Sequence, residues 1–189
     1  MKTYLYAIRH GETELNKAQR HQGQNDSPLT ELGIKQVLSV KKYFMENNIV
    51  FDRVYCSPLG RAIQTAELLC DDYTVDEGLI ERSFGILEGV SWADEKSCVD
   101  DRLDGYGGEG NNTLRKRIVP VIDRIMKDNI GKSVLIVGHG GILWQFAEHW
   151  KNNSRIAVDT LETPNCTIYK YEFLDGEFYL EDLIYTSKG

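Results

Sequence analysis

Apolar positions recur along this chain with two alternating periods. Residues 4–9 are almost all apolar until Arg9, which predicts a buried strand. Residues 30–47 repeat at helical spacing, with Thr30 as cap, Glu31 in the first turn, and Ile34, Val37, Leu38, Phe44 and Met45 on one face. Residues 50–56 predict a second strand, which Asp52 and Arg53 weaken. SPLGRAIQTAELLC, residues 57–70, predicts a helix with Ser57 as N-cap and Pro58 at its first position. Residues 113–129 predict an amphipathic helix whose inner face is Leu114, Ile118, Val121, Ile122 and Ile125, with Pro120 bending it or marking its first turns. SVLIVGHGG, residues 133–141, is the plainest buried strand, and ILWQFAEHW after it predicts a helix. Residues 167–173 and 178–185 flank Asp175-Gly176 as a hairpin.

Strands alternating with helices predict an α/β sheet with helices on both faces. Residues 85–112 break the pattern. They are rich in glycine and acids, which predicts a functional loop or lid, with room for a short helix at 94–98.

A chain of 189 residues suits one domain, here residues 1–189 with the 85–112 loop as its cap. No secretory pattern opens the chain, and no stretch approaches the roughly 20 apolar residues of a membrane span. Cys56, Cys70, Cys98 and Cys166 are scattered and form no C-x-x-C pair, so reduced thiols in a cytoplasmic protein are expected. The net charge of −7 argues against a broad nucleic-acid surface. It leaves room for a small anion, because a few arginines converging in a cleft make a local positive site. Oligomeric state has no signal in the sequence.

In open α/β sheets, ligands bind beyond the carboxyl ends of the strands. Two of the four histidines stand at such ends, in Arg9-His10-Gly11 and Gly138-His139-Gly140-Gly141. Glycine there lets a ligand approach the backbone closely. Either histidine alone is better read as a loop residue with satisfied hydrogen bonds; the shared pattern lowers those odds. Arg61 falls in the first turn of its helix, where the dipole disfavours a cation, so an anion near it is expected. Glu81 stands beside Arg82 in LIERSFGILEG, where a solvated carboxylate or a partner for Arg82 is the plainer reading.

RHGETELN, SPLGRAIQTA, LIERSFGILEG and VGHGG, in this order, resemble the histidine phosphatase superfamily, which includes the cofactor-dependent phosphoglycerate mutases. The resemblance covers residues 4–141. It implies a mixed, mainly parallel β-sheet flanked by helices on both faces, a three-layer α/β/α fold. It implies that His10 is the nucleophile that becomes phosphohistidine. Arg9, Arg61 and His139 would hold the transferring phosphoryl group, and Glu81 would protonate the leaving oxygen. Asn16, Gln22, Gly23, Arg82 and Gly140 are carried over as substrate-binding positions, and Thr13 as part of the loop. The ligand is then a small phosphorylated metabolite, with no metal and no cofactor required. A histidine nucleophile attacks through one nitrogen while a hydrogen bond fixes the other, here expected from a backbone carbonyl.

Two departures matter. Family members often carry Gly-Glu-Ser before the late helix; here Gly108-Glu109-Gly110-Asn111 has no serine. Mutases of the family insert more residues where this chain has 85–112. That favours a phosphatase over a mutase using the same residues. Asp94, Asp100, Asp101 and Asp104 in this loop could disfavour highly charged phosphates. A metal-dependent hydrolase built on His10, Glu12, His21 and His139, and a catalytically silent phosphoester-binding module, are the remaining alternatives. The first suffers from the absence of compact ligand spacing and from the neighbouring arginines.

Overall fold

The structure is a computed structural model, described here for residues 2–93, 101–157 and 163–186. The segment 94–98, with its room for a short helix, lies outside them, as do Cys98, Asp94 and Asp100. Among the described residues five α-helices and six strands follow in chain order: β1 (Thr3–Arg9), α1 (Glu14–Lys17), α2 (Glu31–Glu46), β2 (Arg53–Cys56), α3 (Gly60–Leu69), β3 (Thr74–Val75), α4 (Asn111–Lys127), β4 (Ser133–Gly138), α5 (Gly140–His149), β5 (Ile168–Leu174) and β6 (Glu177–Ile184). One sheet takes them in the order β3-β2-β4-β1-β5-β6. β3, β2, β4 and β1 run parallel, and β5 and β6 add an antiparallel hairpin at the other side.

Period-two alternation puts each central strand in two cores. Leu5 and Ala7 of β1 and Val134 and Ile136 of β4 face α4 and α5, whose Ile118, Ile122 and Phe146 are fully buried. Tyr6, Ile8, Leu135 and Val137 face α2 and α3 on the other side. Each of the Leu, Ile, Val and Phe side chains contributes roughly 1.5–3 kcal/mol by leaving water. The fold is therefore the mixed three-layer α/β/α sandwich expected.

Several boundaries differ from the sequence reading. The buried stripe of α2 is Gly33, Val37, Val40 and Phe44, while Ile34, Leu38 and Met45 are 40%, 47% and 71% exposed. The reason is Gly33. A Cβ there would stand 2.1 Å from the Glu12 carbonyl oxygen, so this bare side of the helix is the one that can reach the loop after His10. α3 starts at Gly60, not after a Ser57 cap, because Ser57 still extends the sheet through its N–H to Val137 O at 3.0 Å. α5 starts at Gly140, so the predicted strand 133–141 stops at Gly138 and His139 becomes the N-cap. Pro120 lies in the interior of α4. The hairpin turn is Asp175-Gly176, both at positive φ (53° and 86°), as a two-residue I′-type turn requires.

The described part of the 85–112 region contains short 3₁₀ helices at Gly85–Leu87 and Asp101–Tyr106 before α4 begins. Asp101 and Asp104 serve that helix start: Asp101 Oδ1 accepts from Asn112 N at 2.8 Å and Asp104 Oδ1 from Gly110 N at 3.0 Å. Their carboxylates replace the cap that Gly110 lacks. Cys56, Cys70 and Cys166 are unbridged. No helix among the described residues is long and apolar enough to cross a membrane.

Candidate active site

β1 and β4 are parallel neighbours with Arg9 opposite Gly138. The next residues, His10 and His139, therefore leave the sheet side by side at its carboxyl edge. Their rings meet edge to face, 5.3 Å between centroids at 62°. His10 Nδ1 lies 2.7 Å from the carbonyl oxygen of Gly11. A carbonyl only accepts, so Nδ1 carries the hydrogen and Nε2 keeps its lone pair. That lone pair accepts from Arg61 Nε at 3.2 Å. Burial, then the charges of Arg61 and Arg9, hold the His10 imidazole well below its ordinary pKa, so it is neutral.

Arg61 is 1% exposed. Its Nη2 donates to Gly23 O at 2.6 Å and its Nη1 to Asn25 O at 2.9 Å and Asp26 Oδ1 at 3.2 Å. Asp26 also accepts from the backbone N–H groups of Gly60 and Arg61. It is thus both the counter-ion of Arg61 and the acidic cap of α3. The anion that an arginine in a first helical turn requires comes from the protein's own loop.

Glu81 is 7% exposed, and both its oxygens are held by backbone: Oε1 accepts from Arg82 N at 2.7 Å and Oε2 from Gly141 N at 2.8 Å. The bare Gly141 lets the carboxylate come this close, since a Cβ there would stand 2.5 Å from Glu81 Oε1 and displace the Glu81 side chain. Arg9 packs against Gly140 and donates to Thr163 O. Arg82 is buried, with two N–H groups on Asn111 Oδ1 at 3.1 Å each. The Nε atoms of both Arg9 and Arg82 are buried without a partner. Burial lowers the pKa of all three arginines, opposed by Glu81, yet a guanidinium stays charged.

These side chains surround one cavity of about 290 Å³. Of the residues expected from the sequence, Arg9, His10, Asn16, Gln22, Gly23, Arg61, Glu81, Arg82 and Gly140 line it. His139 does not; it is fully buried behind, against the His10 ring and Ser57. Thr13 is also buried and acts inward, donating to Gln22 Oε1 at 2.9 Å and capping α1. Glu109, in the stretch that replaces Gly-Glu-Ser, turns away to pair with Arg117 at 2.7 Å. Arg20 adds a further cation to the wall, and Phe84, Trp92 and Trp144 add apolar surface. Among the described residues no cluster of three or more histidine, cysteine or acidic side chains could hold a metal ion.

The model of the histidine phosphatase superfamily (branch 1) matches residues 5–186. This chain belongs to the histidine phosphatase superfamily. A probable phosphoglycerate mutase of Proteus mirabilis is 30% identical, covering 98% of this chain and 92% of the relative. A mutant phosphoserine phosphatase from Entamoeba histolytica, solved with phosphoserine, superposes with a TM-score of 0.82 at 26% identity, covering 98% of each chain. A phosphoglycerate mutase from Bacillus anthracis superposes with a TM-score of 0.81 at 26% identity, covering 96% of this chain and 92% of its own.

Within this superfamily fold, the sequence reading missed the residues that hold others in place. Asn165 donates to His10 O at 3.0 Å and to Asn16 Oδ1 at 3.1 Å. With Oδ1 so engaged, the amide nitrogen of Asn16 is the end left for a ligand. Glu88 accepts from Gln24 N and Asn25 N at 3.0 Å each, fixing the loop whose carbonyls grip Arg61. No spacing in the sequence announced either residue, because each acts across a contact between distant segments.

Burial holds His139, like His10, well below the ordinary histidine pKa, with Arg61 and His10 adding to the effect. Below about pH 6.5 the unfolded chain binds protons that the folded imidazoles refuse. Stability is therefore complete above that pH and is lost as pH falls, by up to about 1.4 kcal/mol per pH unit for each ring. The thermal midpoint should drop between about pH 6.5 and 5, and less steeply in His10→Ala. Equal slopes in the two proteins, by differential scanning fluorimetry, would refute a neutral buried His10.

Proposed function

We propose that this protein hydrolyses small phosphomonoesters through a phosphohistidine on His10. The observation that carries the reading is the His10 ring: Nδ1 tied to Gly11 O, and Nε2 presented beside Arg61 in an arginine-lined cavity. A neutral nucleophile suits a dianionic phosphate better than an anionic one. Nε2 attacks phosphorus, the bond to the alcohol oxygen breaks, and a protonated Glu81 delivers its proton to that oxygen. Water then attacks the phosphohistidine, Glu81 takes back a proton, and inorganic phosphate leaves with His10 restored. Arg9 and Arg61 offset the charge spread over the equatorial oxygens. Asn16 donates its amide N–H groups, and His139, which lies behind the His10 ring and does not line the cavity, must gain its contact with the phosphoryl group when substrate binds. Gln22 and Gly23 act by shaping the loop, Gly23 through its carbonyl on Arg61. Arg82 and Gly140 serve the substrate side. The reaction needs no metal.

A second reading, phosphoryl transfer between hydroxyls of phosphoglycerate, is favoured by the identity to the probable mutase of Proteus. The two differ in whether water or a substrate hydroxyl accepts the phosphoryl group. The brevity of the 85–112 segment favours water. Incubation with 3-phosphoglycerate, with and without its bisphosphate, separates them. Inorganic phosphate without the 2-isomer is expected; isomer formation outpacing phosphate release would establish the mutase instead. Phosphoserine, sugar phosphates, nucleotides and a cobamide precursor complete the substrate panel.

A further inference from the structure

Ser57 is fully buried where β2 runs out, and its Oγ lies 2.6 Å from His139 Nε2. The register Cys56 opposite Val137 brings Ser57 level with Gly138, the residue before His139. The same Oγ accepts, at 3.4 Å, from the backbone N–H of Leu59. A hydroxyl has one hydrogen to give. In this fully buried site, among the described residues, the acceptor within reach of it is His139 Nε2. The other ring nitrogen, Nδ1, is buried with no partner. A neutral imidazole has one N–H, and which nitrogen carries it follows from the bond the other makes.

We propose that Ser57 is a positioning residue that donates to His139 Nε2 and so fixes the tautomer whose Nδ1–H is left to meet a phosphoryl oxygen. The inference rests on the reading of His139 as a phosphoryl-holding group. It explains the buried, unpartnered Nδ1 as a preorganised neutral donor whose hydrogen is set before substrate arrives. Without the hydroxyl, nothing decides between the two tautomers, and the wrong one turns a lone pair toward an anionic oxygen. The serine that the sequence suggested as a helix cap thus serves the histidine instead.

The test is the long-range nitrogen–proton NMR spectrum of isotope-labelled histidine rings at neutral pH, with the His139 signals identified by their loss in His139→Asn. The wild type should show a neutral ring protonated at Nδ1. Protonation at Nε2 overturns the proposal, and this measurement needs no Ser57 variant to fold. In Ser57→Ala the signal should move toward the Nε2–H tautomer, and turnover of an aryl phosphate should fall about 10- to 100-fold with KM changing less. Ser57→Thr, which keeps the hydroxyl, should restore both. An unchanged tautomer in Ser57→Ala also overturns the proposal. A shifted tautomer with unchanged turnover supports the assignment to Ser57 but removes His139 from the phosphoryl site, so the two failures are distinguishable.

Discussion

His10→Ala is expected to lose turnover of an aryl phosphate by on the order of 10⁴-fold or more, because the attacking atom itself is removed. The acid-labile phosphoenzyme seen on rapid quench of the wild type with labelled substrate should vanish with it. Phosphate binding should persist. Arg61 loses one hydrogen-bond acceptor in the variant but keeps Gly23 O, Asn25 O and Asp26, so its guanidinium stays in place. Calorimetry with inorganic phosphate therefore distinguishes a missing nucleophile from a collapsed site. Near-normal turnover would mean that His10 is not the nucleophile.

The second large effect concerns Glu81. With an alkyl phosphate, the leaving alkoxide is a strong base and needs a proton, and losing the donor should cost roughly 100- to 10,000-fold in turnover. A nitrophenolate leaves without help, so Glu81→Gln should barely slow formation of the phosphoenzyme from nitrophenyl phosphate. The ratio of the two losses is the measurement. Equal losses on both substrates would assign Glu81 a structural role, which the site makes a serious rival. Both carboxylate oxygens accept backbone N–H groups, and a glutamine has one oxygen to offer them. To act as general acid, Glu81 must exchange one of those accepted bonds for an O–H donated to the substrate.

The two histidines and Arg61 were legible in the sequence because their signals are local. His10 and His139 each follow an apolar strand and precede glycine, and strand ends in a parallel sheet point to one edge. Arg61 was legible through a conflict with its helix, and the conflict correctly pointed to an anion. That the anion is Asp26 was not legible, since a loop carboxylate meets a helix start through folding alone. Asn165 and Glu88 stayed hidden for the same reason. The face of α2 was misjudged by counting apolar residues, when the decisive residue was Gly33, whose lack of a side chain sets how near the helix can come. β3, two exposed edge residues, carries no apolar alternation to read.

The position of β1 in the sheet has a consequence for how this protein is made. The first strand of the chain is central, held between β4 and β5, with Tyr4 opposite Ser133 and Glu172. During synthesis its apolar residues leave the ribosome long before either partner exists. They must wait as an unpaired, sticky segment, and closing so long a loop is slow. The side-by-side placement of His10 and His139 depends on the pairing of β1 with β4, so a nascent or truncated chain lacking β4 holds His10 without that neighbour.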